Sequence, residues 1–532
     1  MFSYDSKVTK YIVVSGGVMS GLGKGIVAAS IGKIMKSYGF EVSMIKFDGY
    51  LNVDPGTLNP YEHGEVYVLE DGTETDLDFG HYERFLNINL TKDSSITNGK
   101  IYREVIEKER KGLYLGKTVQ IIPHVTNEMI SFIKKLNNEV VIIEVGGTVG
   151  DLENAVFLEA LRQLSMKEKV IFIHLSYVPL INGEQKTKPA QHSMRNLLEL
   201  GIFPYVVIGR CKENLNNDVK RKIAMFAGIP ENRVISDPDC EIYEVPLIFE
   251  EQRLGEIICR GLELDVTEED IEKKKETLMR WKKLVENLKS SKSKEINIGI
   301  VGKYIKAGDA YLSIKEALRH CEMYKDCKIK ISFIDSENKN LEENLKLMNG
   351  IIVPGGFGIR GIEGKIKAIK FCREKNIPFL GICLGFQLAV IEFARNVCNL
   401  EDANSSEIDK NCKNPVIDLI PEQTNIKNLG GTMRLGSYKT IIEKNTIAYE
   451  IYKKDEIFRR HRHRYEVNLK YLEILEKNGL KFSGKSSDNR FMEILELKNH
   501  KFFIATQYHP EFSSRPENPE ELFVAFVDSC IK

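Results

Sequence analysis

The chain of 532 residues is too long for one hydrophobic core and predicts two or three domains. Lysine and arginine together number 76, as do aspartate and glutamate, so the net charge is zero. The chain as a whole therefore has no overall positive charge that would attract nucleic acid or an anionic membrane. Hydrophobic residues make up 42%, which excludes a disordered chain. The ten cysteines form no Cys-x-x-Cys pair, and no apolar run reaches the roughly 18 residues needed to span a bilayer. We therefore expect reduced thiols and a cytoplasmic protein.

Buried-strand runs alternate with helical patterns along both halves, which predicts an α/β fold with two doubly wound, mostly parallel-sheet domains. Strands are expected in the first half over Tyr11–Val14, Val42–Phe47, Val140–Val145, Val170–Leu175 and Tyr205–Ile208. Those of the second half are expected over Ile296–Val301, Lys328–Ile334, Gly350–Val353 and Ile377–Ile382. The predicted domains are residues 1–265 and 296–532, joined by a helical linker at 266–295.

The linker helix has a start signal and an apolar side. Thr267 and Asp270 form a capping signature, and Leu278, Trp281 and Leu288 fall on one side of the helix. Residues 289–294 are rich in Lys and Ser, which predicts a flexible connection. The polar stretch 401–415 predicts a surface loop.

A glycine-rich loop follows the first strand, in the order Ser15-Gly-Gly-Val-Met-Ser-Gly-Leu-Gly-Lys24-Gly25, and a helical pattern follows the loop. This order indicates a phosphate cradle in which backbone N–H groups face the anion and Lys24 reaches the outer phosphates. Gly17 is one residue too far from Gly23 for the usual P-loop, and Gly25 replaces the hydroxyl residue that would hold Mg²⁺. Carboxylates elsewhere must then bind the metal, and Asp78 and Glu144 are the candidates. The alternative is a merely structural glycine loop.

Further basic residues predict a second phosphate-bearing ligand beside the first. Lys186 and Lys188 lie next to Pro189 and Gln191, where the proline restricts the turn and the amide suits a base or a sugar. Lys46 lies at the end of the second predicted strand. The alternative for paired lysines is a solvated surface.

A candidate nucleophile lies in Gly381-Ile-Cys383-Leu-Gly385, directly after an apolar run. Such a pentapeptide predicts a thiol on the sharp turn between a strand and a helix. His509 and Glu511 are two residues apart and supply a base and the group that orients it. The alternative is a buried structural cysteine, which the flanking glycines disfavour.

Two more features fit amide hydrolysis at Cys383. Glycines end the strand Gly350–Val353, so the N–H groups of Gly356 and Leu384 would form an oxyanion hole. Arg464 is a candidate partner for a substrate carboxylate. It lies in a basic run, residues 459–464, for which surface charge or nucleic-acid contact is the alternative. The charge balance of the whole chain disfavours nucleic-acid contact.

Several strings in one order resemble the CTP synthases, the glutamine-dependent amidotransferases that convert UTP to CTP. They are Gly16–Gly25, Asn52–Thr57, His63–Val66, Thr118–His124, Glu144–Asp151 and Gly430–Gly436. The resemblance implies a P-loop amidoligase domain similar to dethiobiotin synthetase, followed by a class I glutaminase domain. It also implies ATP-dependent phosphorylation of UTP at O4, aided by Lys24 and Lys46, and ammonia that reaches this intermediate through a tunnel.

The resemblance further implies the following site residues. ATP would be bound by Gly21, Leu22, Gly23, Lys24, Gly25, Ile26, Asp78, Asp239 and Cys240, with Mg²⁺ on Asp78 and Glu144. UTP and the product CTP would be bound by Ser20, Asp151, Leu152, Glu153, Lys186, Thr187, Lys188, Pro189, Ala190, Gln191 and Lys222. Glutamine would be bound by Gly356, Leu384, Gly385, Phe386, Gln387, Glu407 and Arg464.

Regulation and assembly are implied in the same way. GTP would activate glutamine hydrolysis near Phe357, Arg360 and the loop 430–436, and CTP would be a feedback inhibitor. A homotetramer is expected, with filaments left open, and neither nucleic acid nor a membrane is an expected partner. Gly49 stands where proline is usual, and the segment 237–243 is one residue short, which leaves open whether nucleotide affinity is altered.

Two rival interpretations remain. A cobyrinic acid diamide synthase would share the amidoligase and glutaminase arrangement, but it leaves Lys186–Gln191 and His63–Val66 unexplained. A filament-forming or nucleotide-sensing scaffold with decayed sites would need no catalysis, and the complete set of Cys383, His509 and Glu511 argues against it.

Overall fold

A computed structural model describes residues 8–59, 63–303, 309–420, 423 and 431–531. The chain forms two compact units, of which the first comprises Met1–Asp54 with His81–Val285 and the second comprises Pro55–Gly80 with Glu286–Lys532. The segment Pro55–Gly80 therefore belongs with the C-terminal residues, although it lies inside the predicted N-terminal domain. The predicted boundaries at 265 and 296 stay predictions.

The strands are described in chain order. They are β1 (Lys10–Gly16), β2 (Val42–Asp48), β3 (Tyr67–Val68), β4 (Glu74–Thr75), β5 (Ser95–Thr97), β6 (Val140–Val145), β7 (Val170–Tyr177), β8 (Leu180–Ile181), β9 (Glu184–Gln185), β10 (Val206–Cys211), β11 (Val234–Pro238), β12 (Lys294–Gly302), β13 (Cys327–Asp335), β14 (Gly350–Val353), β15 (Phe379–Ile382), β16 (Ala403–Ser405), β17 (Asn414–Leu419), β18 (Arg434–Ile442), β19 (Glu456–His463), β20 (Tyr465–Val467), β21 (Lys481–Ser486), β22 (Met492–Glu496) and β23 (Phe503–Thr506).

The α-helices follow the same convention. They are α1 (Lys24–Ser37), α2 (Asp78–Leu86), α3 (Asn98–Arg110), α4 (Thr126–Ile133), α5 (Leu152–Ser165), α6 (Lys188–Glu199), α7 (Asn217–Ala227), α8 (Val245–Glu251), α9 (Leu254–Leu262), α10 (Glu268–Lys289), α11 (Leu312–Glu322), α12 (Leu341–Lys346), α13 (Ile362–Lys375), α14 (Leu384–Asn396), α15 (Ile447–Tyr452), α16 (Leu472–Lys477) and α17 (Glu521–Ile531).

The first unit is built on one sheet in the order β11-β10-β7-β1-β6-β2-β5, and every neighbouring pair is parallel. Its central strands are buried along their length, which explains their continuous Val and Ile runs. The five strands predicted for this half are confirmed, with ends shifted by up to three residues. Parallel strands end at the same edge, so the loops after β1, β6 and β7 lie near one another.

The second unit is built on a sheet in the order β13-β12-β14-β15-β23-β22-β21-β18-β19. Pairs from β13 to β23 are parallel, and pairs from β23 to β19 are antiparallel. The predicted α/β class with two sheet-centred parts is confirmed, although the antiparallel half was not predicted. The predicted surface loop at 401–415 is wrong in part, because β16 lies there and both Ala403 and Ser405 are buried.

No helix among the residues that the structure describes is both long enough and apolar enough to cross a membrane.

Helix α10 begins at the predicted capping signature. Thr267 Oγ1 accepts a hydrogen bond from Asp270 N at 3.2 Å, and Asp270 Oδ2 accepts one from Thr267 N at 2.9 Å. The two bonds satisfy backbone donors that a helix N-terminus leaves open. The predicted flexible connection shrinks to residues 290–293, because α10 ends at Lys289 and β12 begins at Lys294.

Trp281, the only tryptophan of the chain, attaches α10 to the first unit. Its ring lies 5.6 Å from that of Phe85 and 5.8 Å from that of Tyr243, measured between centroids. Its indole N–H donates to Tyr243 O at 2.7 Å, and Lys33 Nζ lies 4.3 Å from the ring centroid. The side chain is therefore a packing anchor with its polar atom satisfied.

We expect Trp281→Ala to lower the free energy of unfolding by about 3–5 kcal/mol, because a large buried ring leaves a cavity. Trp281→Phe should lower the free energy of unfolding by a smaller amount, because the phenyl ring fills part of the same space. Met279→Ala is the matched control, since Met279 lies on the same helix and is 70% exposed. Urea unfolding followed by far-UV circular dichroism measures all three variants. Equal losses at positions 279 and 281 would contradict the anchoring role.

Candidate functional site

Cys383 lies on the turn between β15 and α14, as the Gly-x-Cys-x-Gly pattern predicts. Its backbone has φ 52° and ψ −99°, a conformation that non-glycine residues rarely adopt. Cys383 N donates to Thr506 O at 2.7 Å, which ties the turn to β23. A Cβ on Gly385 would lie 2.0 Å from Val353 O, so only glycine fits beside the thiol. Backbone strain held by tight packing is typical of functional turns.

His509 and Glu511 come next to this turn because β23 pairs with β15. His509 Nδ1 lies 2.7 Å from Glu511 Oε1, and both residues are buried. Burial alone would lower the pKa of His509, but Glu511 and the negatively charged form of Cys383 outweigh it and raise the pKa to about 10. The protonated form of His509 is therefore favoured beside Glu511 and Cys383.

Two cavities meet at the thiol. Both are lined by Gly356, Phe357 and Cys383, and their volumes are ≈ 90 and ≈ 200 Å³. The larger cavity has five of the seven residues that the sequence predicted for glutamine in its wall, namely Gly356, Leu384, Gln387, Glu407 and Arg464. The other two do not line it: Gly385 packs against Val353, and the ring of Phe386 packs against Phe482.

Arg464 is held in place at the wall of the larger cavity. Its guanidinium donates to Gln423 Oε1 at 2.6 Å and to Thr432 Oγ1 at 2.9 Å. On the same wall, burial raises the pKa of Glu407. Beside the thiol, Gln507 Nε2 lies 3.8 Å from Cys383 Sγ. Sequence reasoning missed Gln507, although it stands two residues before His509.

Half of the basic run at 459–464 faces inward. Arg460, His461 and His463 are buried, so the surface-charge alternative is wrong for these three residues. His461 and His463 lie on one face of β19, because side chains alternate between the two faces along a strand. Arg460 lies on the opposite face, where its guanidinium donates to Glu70 Oε2 at 3.1 Å and to Val68 O at 3.1 Å.

A buried charge cluster lies next to these histidines. Arg434 donates to Glu493 at 2.8 Å and to Glu466 at 3.2 Å, and burial raises the pKa of both carboxyl groups. Burial and the Arg434 charge lower the pKa of His461 and His463 well below the ordinary value, so both rings are neutral. The two neutral rings therefore add no second imidazolium near His509.

The segment Pro55–Gly80 packs against other residues of the second unit. Arg462 Nε donates to Glu74 Oε1 at 2.7 Å, and Arg460 Nε donates to Glu70 Oε2 at 3.1 Å. Glu65 accepts from Ser313 N at 3.1 Å and lines the smaller cavity at Cys383. The string His63–Val66 in this segment is part of the family resemblance, but no pattern in the sequence predicts that it lines the cavity at Cys383.

Lys365 is a further residue that the sequence did not indicate. It lies on α13, is 1% exposed, and its Nζ is 3.9 Å from the position that a Cβ on Gly356 would take. Burial, with a smaller contribution from Lys303, lowers the pKa of Lys365 to about 7, while Cys383 acts in the opposite direction. A buried amine therefore lies beside Gly356, whose N–H group is predicted to form part of the oxyanion hole.

Two of the residues predicted for GTP, Phe357 and Arg360, lie around Lys303, whose Nζ donates to Phe357 O. The Arg462 guanidinium is 4.9 Å from the Phe357 ring centroid, and Arg360 Nη2 donates to Lys303 O at 2.7 Å. Phe357 is 38% exposed. Of the predicted loop 430–436, Gly430 lies outside the described residues.

In the first unit, the glycine loop joins β1 to α1 as predicted. Val18, Gly21 and Gly23 have positive φ values of 81°, 73° and 95°. Lys24 is the first residue of α1, and its Nζ donates to Gly147 O at 2.8 Å. This loop presents the helix N-terminus at the carboxyl edge of the sheet, where anions bind.

Strand register aligns two further candidates at this edge. Lys46 of β2 lies opposite Glu144 of β6, and Glu144 lies opposite Val14 of β1. Glu144 is 2% exposed and accepts a hydrogen bond from the Tyr82 hydroxyl. Asp78, the other predicted metal ligand, is the first residue of α2 and belongs to the second unit.

The predicted nucleotide residues of the first unit lie at helix starts and strand ends. Residues 188–191 form the first turn of α6, and Asp151 precedes α5. Lys186 pairs with Glu184, whose pKa it lowers together with the more distant Lys222. At the end of β11, Asp239 lies 2.7 Å from Arg210, and burial raises the pKa of Cys240 to about 12. The adenine role of the last two residues stays a prediction.

Packing explains why a glycine is suited to position 49, where proline is usual in the family. A Cβ at this position would lie 2.9 Å from Glu153 Cβ, and the Asn98 amide bridges Gly49 O and Glu153 O at 2.8 and 2.7 Å. The glycine allows the end of β2 to approach the start of α5, where the family resemblance implies residues that bind UTP and CTP.

Comparison with known proteins identifies the families that the two parts of the chain match. The family described as CTP synthase N-terminus matches residues 10–264, and the family described as glutamine amidotransferase class-I matches residues 307–529. A CTP synthase of Archaeoglobus fulgidus is 54% identical over 98% of this chain and 98% of its own length, and one of Methanocaldococcus jannaschii is 52% identical over 99% of each. The solved glutaminase domain of Trypanosoma brucei CTPS with bound acivicin is 39% identical over 44% of this chain and 93% of that domain, with a TM-score of 0.41.

We expect Lys365→Met to stabilise the chain at pH 7 and to do so progressively less toward pH 10. Lys365 has a folded pKa of about 7 and an ordinary value of 10.5. Between these values the unfolded state binds more protons, so wild-type stability rises with pH, because folding then has to remove a proton from the amine at a steadily smaller cost. Chemical unfolding at pH 7 and pH 9 measures the difference between variant and wild type.

Lys367→Met is the control for this experiment, because Lys367 lies on the same helix and is exposed. Its effect should be the same at both pH values. A Lys365→Met effect that does not change with pH would show that the amine is solvated in the folded chain.

Proposed function

The chain belongs to the CTP synthase family and is a ligase that makes CTP from UTP with nitrogen from glutamine, and we propose that its two candidate centres divide this reaction. Ammonia would be released at Cys383, and UTP would be activated by ATP at the glycine loop of the first unit. The observation that carries the proposal is the buried set of Cys383, His509 and Glu511 beside a cavity with Arg464 in its wall.

In the glutaminase half, the Cys383 thiolate would attack the side-chain amide carbon of glutamine. Electrons move to the amide oxygen, which the N–H groups of Gly356 and Leu384 would stabilise. The C–N bond then breaks, and His509 gives its proton to the departing nitrogen. Water hydrolyses the resulting thioester to glutamate and restores the thiol. Arg464 would pair with the carboxylate of glutamine.

In the synthetase half, Lys24 and Lys46 would steady the γ-phosphoryl group of ATP during its transfer to O4 of UTP. The products of this step are ADP and a UTP phosphorylated at O4. Ammonia adds to C4 and phosphate leaves, which gives CTP. Phosphate departs far more readily than oxide, so this activation permits amination at a ring carbonyl.

Mg²⁺ is proposed as the metal of the synthetase half. When bound, it would neutralise phosphate charge. Carboxylate oxygens are the ligands that it prefers, and the buried Glu144, at the strand edge beside the glycine loop, fits that preference. Asp78 is the second proposed ligand.

Ammonia must be transferred uncharged, because in water at pH 7 it is mostly ammonium and not nucleophilic. An internal tunnel between the two centres is therefore part of the proposal. We also propose that GTP binds near Phe357 as an activator and that CTP is a feedback inhibitor. The protein is further proposed to be a cytoplasmic homotetramer. The exposed Phe357 ring beside Arg462 supports the GTP proposal, because it offers a base an aromatic face and a nearby cation.

We expect Cys383→Ala to abolish UTP amination with glutamine and to retain it with added ammonia, because only the first half-reaction needs the thiol. The assay follows the change in pyrimidine absorbance with ATP and UTP present, with and without GTP. Lys24→Gln is the complementary variant, and it should lose amination from either nitrogen donor while glutamine hydrolysis continues. Loss of both activities in Cys383→Ala would overturn the division of the reaction.

We expect Glu511→Gln to slow glutamine hydrolysis by about 10²- to 10⁴-fold, as when the orienting carboxylate of a triad is lost. Glu511 raises the pKa of His509, so the variant should also lose the imidazolium at lower pH. The alkaline limb of the pH–rate profile then moves to lower pH. Amination from added ammonia is the internal control and should not change. An unchanged alkaline limb would show that another group holds His509 charged.

A further inference from the structure

His174 is a buried residue of the first unit that the proposed reaction does not use. It lies on β7 and is 0% exposed. Its Nδ1 is 3.0 Å from Ser15 Oγ, and its Nε2 is 2.6 Å from Ser193 Oγ. Both hydroxyls are also buried. A continuous Ser–His–Ser chain of hydrogen bonds thus joins the end of β1 to helix α6.

The imidazole in this chain is neutral. Burial lowers the pKa of His174 to about 4, with a smaller contribution from the Lys24 charge. A neutral imidazole has one donor and one acceptor nitrogen, so one hydroxyl donates to the ring and the other accepts from it. Both ring nitrogens are therefore satisfied without burying a charge, and the two hydroxyls are held in fixed directions.

The two ends of the chain lie at the two predicted nucleotide segments. Ser15 directly precedes the glycine loop, and Ser193 lies on α6, whose first turn holds residues 188–191. The loop and the helix are in direct contact here, since a Cβ on Gly17 would lie 1.6 Å from Ser193 Oγ. Gly17 N also donates to Leu175 O at 3.1 Å, next to His174 on β7. His174 is therefore the side chain that joins loop, strand and helix.

We propose that His174 is a positioning residue that holds the glycine loop against α6, so that ATP and UTP are bound in a fixed mutual arrangement. The inference rests on the proposed function, which places ATP at the loop, and on the family resemblance, which implies UTP contacts at residues 186–191. A histidine with a structural role alone would add stability and leave nucleotide binding unchanged. A positioning residue affects both nucleotides together, because each end of the chain supports a different one.

Ser193→Ala removes one hydrogen bond with little change in volume, and His174→Gln is the second variant. We expect the KM values for ATP and UTP in ammonia-dependent amination to rise together by about three- to tenfold, the range for one neutral hydrogen bond. Calorimetry with a non-hydrolysable ATP analogue and with UTP should show the same rise in both Kd values. Glutamine hydrolysis at Cys383 should not change.

Ser176→Ala is the matched control. Ser176 lies two residues along β7, is 0% exposed, and its hydroxyl has no hydrogen-bond partner within the described part of the chain. This control should leave both Kd values at the wild-type level. Unchanged Kd values in Ser193→Ala and His174→Gln, or a change for one nucleotide only, would overturn the inference. Failure of the wild type to aminate UTP would instead contradict the proposed function.

Discussion

Hydrogen bonding between parallel strands is the constraint on which both candidate centres depend. In the first unit it aligns Lys46 with Glu144 and Ser15 with His174 at the edge where the glycine loop begins. In the second unit it pairs β15 with β23, which brings a thiol and a histidine together from positions more than a hundred residues apart. Because all parallel strands end at one edge, turns that follow different strands meet there.

Burial determines the charge states around these turns. At His509, Glu511 and Cys383 outweigh burial and raise the pKa, whereas burial, together with a nearby cation, lowers the pKa of His174, His461 and His463. The same residue type is therefore favoured as a cation in one place and as a neutral ring in others. Lys365 follows the same physical rule, since burial favours its uncharged form.

The segment Pro55–Gly80 shows that family boundaries and packing need not coincide. It lies within the residues that match the CTP synthase N-terminus, yet it packs in the second unit and contributes Glu65 and Val66 to the cavity at Cys383. Ion pairs of Glu70 and Glu74 with arginines of β19 hold it there. Part of the wall around the thiol is thus encoded more than 300 residues before it.

The sequence alone determined what is local in the chain. Short glycine patterns predicted the loop before Lys24 and the turn at Cys383, because few residue types permit their backbone geometry. Continuous runs of Val and Ile predicted the buried parallel strands. Tertiary structure decided what depends on contacts between distant segments. Packing buries Lys365, brings Glu65 into the wall of the cavity at the thiol and makes His174 the link between the glycine loop and α6. No spacing along the chain encodes these three contacts.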